Sequence, residues 1–252
     1  MRKNFATLTS VFAFFLFAFQ GLAQDKTMTW TTTSDKAREL ALKGAKHLMN
    51  IETAQAYDQF KQALELDPDF TIALTFMATM TIGATQKDYE ARALKSAANK
   101  TDGEKLFVNI LSRDTTGKTF RETFSKLHDM FPDGSVVNLY YVFSRPSDNE
   151  QFAAAMDYMK KFPDQACIYN LIGYMYKQIK KDTATAKTYF EKYIEMYPDG
   201  CNPYDSMGEW YFDTGDMANA EKYYKLALEK YPFNNSSIEK LNEIREKKKT
   251  KQ

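Results

Sequence analysis

The spacing of prolines is the feature that most constrains the fold of this chain. Five of its seven prolines follow a run with apolar residues at helical spacing and are separated by 64, 31, 35 and 34 residues. They are Pro68, Pro132, Pro163, Pro198 and Pro232. Because proline stops helices and the gap of 64 holds two units, the spacing predicts about six units of similar length.

The unit that ends at Pro232 has the clearest internal pattern. Apolar and small residues recur at helical spacing in two runs, which are Tyr204, Met207, Gly208 and Tyr211, then Ala220, Tyr224, Ala227 and Leu228. Thr214 to Asp216 separate the runs as a turn, and Asn202 is predicted to cap the first helix. The pattern predicts a helical hairpin, and its repetition predicts an all-α fold.

The same arrangement resembles the tetratricopeptide repeat, whose units are about 34 residues long. The segments YNLIGYMY, YFEKYIEMYPDGCNPYDSMGEWY and AEKYYKLALEKYP, with TDGEKLFVNI earlier, look like those of exported tetratricopeptide-repeat (TPR) proteins of Gram-negative bacteria. The resemblance implies an α-solenoid scaffold that binds a protein or peptide and carries out no chemistry of its own. It does not identify the partner.

The predicted solenoid occupies residues 34–252. Its hairpins fall at about 35–70, 71–100, 101–132, 133–163, 164–198 and 201–232, and a capping helix follows at 236–249. The capping-box sequence Ser236-Ser237-Ile238-Glu239 is predicted to open that last helix. The extra residue in the spacing of 35 is assigned to the turn Lys180-Lys181-Asp182. Residues 24–33, which are polar and rich in Thr, are predicted to form an extended lead-in.

Residues 1–23 have the three parts of a secretory signal peptide. A basic start, Met1-Arg2-Lys3, precedes the apolar run VFAFFLFAF at 11–19, and Gly21-Leu22-Ala23 supplies small residues for cleavage. We expect cleavage near Ala23 and a periplasmic or secreted protein with no transmembrane segment in the mature chain. The alternative is an uncleaved membrane anchor, for which the run is short.

The charge of the chain argues against nucleic acid as a partner. The formal net charge is +1 and becomes −1 if Arg2 and Lys3 leave with the signal peptide. Residues 240–252 are locally basic, with six basic and two acidic side chains. That end is interpreted as a solvated helix terminus, and a membrane-surface or nucleic-acid contact is the alternative.

No motif points to catalysis, a metal or a cofactor. His47 and His128 are isolated from each other and from any ligand-spaced Cys, and Gly-rich phosphate loops and nucleophile elbows are absent from the sequence. We therefore predict no enzyme activity, no cofactor, no metal and no catalytic residue. Asp199, Asp205, Glu209 and Asp213 are interpreted as acids on exposed faces rather than as a paired-carboxylate site.

The two cysteines, Cys167 and Cys201, begin the first helices of adjacent hairpins. Export would permit a disulfide. Packed helix axes lie ~8 to 10 Å apart, whereas bridged Cα atoms lie about 4.4 to 6.8 Å apart. The spacing therefore favours two free thiols, and a bridge stays open as the alternative.

A partner is predicted to bind in the concave groove formed by the first helices of the fifth and sixth hairpins. Helical spacing places these side chains on the groove side: Asn170, Tyr174, Lys177, Gln178, Asn202, Asp205, Glu209, Phe212 and Asp213. TPR proteins that clamp a C-terminal carboxylate use Lys and Asn, but the three acids here would repel one. The set suits a neutral or basic segment anchored on Tyr174 and Phe212.

Two alternatives to this groove remain open. Tyr174 and Phe212 can instead pack against the next helix, with the acids only solvated. The chain can also be a structural subunit of an envelope complex that assembles through its convex face or its C-terminal helix.

Overall fold

The computed structural model describes residues 26–249, and within that range every regular element is helical. The predicted all-α solenoid is confirmed. The signal-peptide prediction for residues 1–23 lies outside the described residues. None of the helices in the described part is both long and apolar enough to span a membrane.

Among residues 26–249, twelve α-helices pair into six consecutive hairpins. Hairpins 1 to 3 contain α1 (Asp35–Met49) and α2 (Thr53–Leu66), α3 (Thr71–Met80) and α4 (Gly83–Ala97), and α5 (Asp102–Phe107) and α6 (Lys118–Met130). Hairpins 4 to 6 contain α7 (Ser135–Phe143) and α8 (Asp148–Lys161), α9 (Cys167–Met175) and α10 (Thr183–Met196), and α11 (Asn202–Asp213) and α12 (Met217–Lys230). The last helix that the structure describes is α13 (Asn235–Lys249). We call the first helix of each hairpin its inner helix and the second its outer helix.

Hairpins 1, 5 and 6 share one close contact between their two helices. A glycine of the inner helix lies directly against an aromatic ring of the outer helix. A Cβ at the glycine would lie 3.0 Å from the ring in Gly44–Phe60, 2.7 Å in Gly173–Phe190 and 2.8 Å in Gly208–Tyr224. The ring therefore fills the space that a larger side chain would need, and the two helices approach closely.

Hairpin 3 is irregular because its inner helix is short. Thr101 and Glu104 form a capping box that starts α5, and a 3-10 turn at Val108–Leu111 ends it. Gly103 of α5 lies against the ring of Phe131 at the end of α6, where a Cβ would be 2.6 Å from the ring, and an aromatic cluster supplies further packing. The ring of Phe124 lies 6.0 Å from that of Phe107 and 5.0 Å from that of Tyr140, measured between centroids.

The lead-in runs as an extended strap across hairpins 1 to 3. Met28 and Trp30 are buried, and the backbone N–H of Thr31 donates to Glu104 at 2.8 Å. Thr32 and the N–H of Thr33 both donate to the carboxylate of Asp67, at 2.6 and 2.9 Å. The strap lacks regular structure, and its polar groups bond to carboxylates of the helical layers.

Three local predictions differ from the structure. The extra residue of hairpin 5 lies in a π-helical turn at Tyr176–Lys180, because a wider turn absorbs one residue without breaking the helix. Asn202 does not cap α11, since its side-chain amide donates to Tyr193. Asn234, rather than Ser236, caps α13 by accepting from the N–H of Ser237.

Candidate functional site

The turn between α1 and α2 touches the turn between α10 and α11, so the solenoid curls back on itself. The buried carboxylate of Glu52 accepts hydrogen bonds from the hydroxyl of Tyr197 and the N–H of Cys201, both at 2.8 Å. His47 Nδ1 lies 2.7 Å from the same carboxylate. The hydroxyl of Tyr193 also donates to the carbonyl of Asn50 at 3.4 Å. We call these five residues, together with the backbone groups they bond, the closure contact: His47, Glu52, Tyr193, Tyr197 and Cys201.

Glu52 is ionised more easily than an isolated glutamate despite its burial. Burial opposes ionisation, but the hydrogen bonds from His47, Tyr197 and the Cys201 N–H outweigh it and hold the pKa of Glu52 below its usual value. The same burial raises the pKa of the Tyr197 hydroxyl, and the bonded carboxylate raises it further.

Both thiols are free and buried in the structure. Cys201 belongs to the closure contact, and Cys167 lies in the inner surface of hairpin 5. Burial raises the pKa of each thiol to about 12, so neither forms a reactive thiolate near neutral pH.

An apolar cavity of 190 Å³ lies on the inner side of the curl. Four inner helices and the Ile51 turn form its wall, and we call it the inner cavity. Its lining residues are Ala45, Leu48, Met49, Ile51, Phe76, Val136, Leu139, Tyr140, Phe143, Cys167, Asn170, Leu171 and Tyr174. The curl thereby narrows the predicted open groove, at this level, to a pocket that stays open on one side.

One polar side chain in this wall has no partner. Asn170 is only 4% exposed, and its Oδ1 makes no hydrogen bond to any residue in the range 26–249. A buried unpaired amide oxygen is costly and uncommon in native proteins.

Two apolar side chains of the lining reach the surface at the open side of the cavity. Ile51 is 62% exposed and Phe143 is 45% exposed. Ile51 also has a φ of +62°, a left-handed conformation that a β-branched residue adopts only under strain. The mouth of the inner cavity therefore has an apolar rim.

A charged cluster adjoins the cavity through Tyr174. The hydroxyl of Tyr174 donates to Glu209 at 2.8 Å, and Lys177 Nζ lies 2.7 Å from the other oxygen of Glu209. Lys177 also pairs with Asp213. Burial alone would lower the pKa of Lys177, but its bonds to Asp213 and Glu209 raise it. The cluster carries one cation and two carboxylates, and it links α9 to α11.

The structure thus brings five of the nine predicted groove residues into one continuous surface: Asn170, Tyr174, Lys177, Glu209 and Asp213. Gln178 is exposed one turn beyond Tyr174. As a binding surface for a partner, this set stays a prediction.

The other three predicted residues contact the protein itself. Asn202 lies under Tyr193, to which it donates at 3.2 Å. Asp205 is buried, which raises its pKa, and it accepts hydrogen bonds from the hydroxyls of Ser236 and Ser237. Phe212 lies beneath Lys240 and Lys247, whose ammonium groups are 4.4 and 4.3 Å from its ring centroid. The contacts of Asp205 and Phe212 fasten α13 to α11, and that of Asn202 joins α11 to α10.

Sequence reasoning did not find the contributions of α1, α3 and α7 to the cavity. Their apolar residues match ordinary core positions, and helical spacing alone does not separate a core from a cavity wall. One signal was available, namely the β-branched Ile51 placed in a turn between two helices.

Among residues 26–249, no three His, Cys, Asp or Glu side chains are grouped closely enough to hold a metal ion. His128 has a structural role in packing, since its ring stacks on Tyr141 at 4.1 Å and Nδ1 bonds to Asn138 at 2.6 Å.

Comparison with known proteins identifies the repeats. Tetratricopeptide repeat family models match residues 171–200 and 203–234. A TPR repeat-containing protein of Pseudomonas aeruginosa is 24% identical over 191 residues, covering 72% of this chain and 32% of that protein. This chain therefore spans about a third of the length of that relative.

Solved structures agree at the level of fold. The crystal structure of yeast Tom70 superposes with a TM-score of 0.55 at 15% identity, covering 84% of this chain and 47% of that one. The Cut9–Hcn1 hetero-tetramer of the APC/C gives a TM-score of 0.50 at 14% identity, covering 83% of this chain and 42% of that one.

Proposed function

We propose that this chain, which is a tetratricopeptide-repeat protein, is an exported scaffold that holds a segment of a partner protein on its inner face. The observation that carries the proposal is the surface formed by Asn170, Tyr174, Lys177, Glu209 and Asp213. It combines an apolar cavity with a charged cluster, which is the usual composition of a specific binding site.

In this proposal the partner binds the part of the inner face that the closure contact and α13 leave uncovered. Asn202, Asp205 and Phe212 are engaged within the protein, so the partner segment would cross α9 and the open edge of α11. The cluster has two carboxylates and one lysine, so its net charge is negative. This charge favours a neutral or basic segment. The chain acts by binding and not by catalysis in this proposal.

Photo-crosslinking tests where the partner binds. A benzoyl-phenylalanine placed at Gln178, exposed beside the cluster, should crosslink a partner in cells that make the protein. The same group at Glu195, exposed on outer helix α10, should not.

A matched pair of charge reversals completes this test. Asp213→Lys and Glu191→Lys each remove a carboxylate that pairs with one lysine, on the inner and the outer layer respectively. We expect Asp213→Lys to abolish the Gln178 crosslink and Glu191→Lys to preserve it. A product from Glu195 alone, insensitive to Asp213→Lys, would instead favour a structural subunit assembling through the convex face.

Export rests on the sequence of residues 1–23 and has a separate test. N-terminal sequencing of the protein from the periplasmic or secreted fraction should begin at Gln24. A chain that keeps Met1 would contradict cleavage near Ala23.

A further inference from the structure

We propose that the inner cavity receives the side chain of a tyrosine presented by the partner segment. This inference rests on the proposed function and specifies what the partner must carry. It follows from the size of the cavity, the unpaired amide in its wall and the apolar rim at its mouth.

The cavity has the size and lining to hold one aromatic ring. Its volume is 190 Å³, and an engineered apolar cavity of about 150 Å³ is large enough to bind benzene. The wall is formed by aliphatic, aromatic and methionine side chains, among them Leu48, Met49 and Leu139. Methionine adapts its shape to a ring and makes favourable contacts with it.

The amide of Asn170 selects for a ring that can hydrogen bond. A hydrocarbon ring in the cavity would leave this buried amide without a partner. A phenol hydroxyl both donates and accepts, so it can pair with either end of the amide. Sites built around such a bond reject the analogue that lacks the hydroxyl. Tyrosine therefore fits this cavity better than phenylalanine does.

The rim indicates that the ring arrives on a polypeptide. Exposed Ile51 and Phe143 extend the apolar surface beyond the volume that one ring occupies. A segment lying across the mouth would cover both side chains, whereas a free small phenol would leave them in water. Strained residues such as Ile51 persist where the surrounding structure holds them in place, often at ligand clamps.

The charge beside the cavity agrees with this occupant. Tyr174 joins the cavity wall to Glu209, and the cluster of Lys177, Glu209 and Asp213 has one more carboxylate than ammonium group. A segment with a lysine or arginine near its tyrosine would complement that excess.

The first experiment uses the side-chain analogues p-cresol, for tyrosine, and toluene, for phenylalanine. Each is titrated into the purified chain carrying ¹³C-labelled methionine methyl groups, with the Met49 signal assigned by substitution. The ring current of an occupant should shift the Met49 methyl. The measured quantity is the ratio of the toluene Kd to the p-cresol Kd, which removes the general preference of any apolar site for toluene.

Asn170→Leu is the decisive variant. It replaces the unpaired amide by an apolar group of similar size, so the protein should fold with an unchanged or higher Tm. We expect the Kd ratio to fall by about fivefold or more relative to the wild type. An equal ratio in the two proteins, or no Met49 shift with p-cresol, overturns the inference. Ala45→Leu, which fills the cavity, should abolish the Met49 shift for both probes.

The crosslinked partner separates this inference from the proposed function. The segment joined to Gln178 should contain a tyrosine, and its change to phenylalanine should weaken binding to wild type but not to Asn170→Leu. A segment without tyrosine overturns the inference and leaves the scaffold intact. Specific p-cresol binding without any crosslink overturns the partner segment as occupant and indicates a small-phenol site. Concentration-dependent dimerisation abolished by Ala45→Leu would identify a second copy of the chain and also overturn it.

Discussion

From α10 to α13 the buried side chains form small clusters between neighbouring helices, whereas one continuous cluster joins hairpins 1 to 3 with the strap and α7. The C-terminal clusters centre on Phe190 and on Tyr224. The N-terminal cluster extends from Met28 to Val137. The glycine–ring contacts of hairpins 1, 5 and 6 each need a glycine and an aromatic residue at matching positions of the repeat. A shared aromatic core accepts rings from several elements, so hairpin 3 departs from the repeat pattern and still folds.

The largest expected effect is on the shared core. Phe124 is fully buried and its ring contacts those of Phe107, Phe120 and Tyr140. Phe124→Ala should lower the free energy of unfolding by about 3 to 5 kcal/mol, through lost burial and the cavity it leaves. Urea denaturation measures this, with Phe233→Ala, at a 74% exposed site, as the control. Equal effects of the two substitutions would contradict the described core.

Removing the carboxylate of Glu52 tests the contact that joins the two regions. Glu52→Gln should cost about 1.5 to 3 kcal/mol at pH 7, because hydrogen bonds to a charged group are lost. The folded-state pKa of Glu52 is lowered below 4.5, so its contribution is complete above that pH and is lost as the pH falls through the folded pKa. Wild type and variant should therefore converge in acid. A difference in stability that grows below pH 4.5 would contradict this account.

A smaller effect is expected from crowding one regular hairpin. A Cβ at Gly173 would lie 2.7 Å from the ring of Phe190. Gly173→Ala should lower the free energy of unfolding by about 1 to 3 kcal/mol through overpacking. The higher helix propensity of alanine should offset about 1 kcal/mol of this loss. In the double variant with Phe190→Leu the alanine should become neutral or stabilising. Additive effects of the two changes would mean that the ring does not limit the approach of the helices.

The smallest effect concerns the thiols. In the folded protein both should react slowly with a disulfide reagent at pH 8, because burial raises their pKa to about 12. Unfolding without reductant should release two reactive thiols. Glu52→Gln should increase the rate at which Cys201 reacts more than the rate for Cys167, because the backbone N–H of Cys201 donates to Glu52. One thiol or none after unfolding would indicate a bridge.

The sequence was informative where the determining contacts are local. Helical spacing and proline positions predicted the hairpins, and the small residues at Gly173 and Gly208 marked close helix contacts. Glu52 and Tyr197 gave no such signal, since they are 145 residues apart and each fits an ordinary helix end. Asp205 and Phe212 were assigned to the groove because helical spacing identifies one face of α11. Spacing does not show that α13 covers part of that face. The inner cavity depends on the curl and was not predictable before the closure contact was known.

The closure contact also changes how the chain can fold. A repeat array in which each unit touches only its neighbours can nucleate anywhere and grow outward. Here hydrogen bonds join residues 143 to 150 positions apart, between the first and fifth hairpins. Forming these bonds requires the chain to close a loop of that length, which costs conformational entropy. Such distant contacts also raise the contact order of the protein, and a higher contact order goes with slower folding. Once these bonds have formed, local unfolding of the first hairpin is coupled to local unfolding of the fifth. This solenoid should therefore unfold more cooperatively, and fold more slowly, than an open array of equal length.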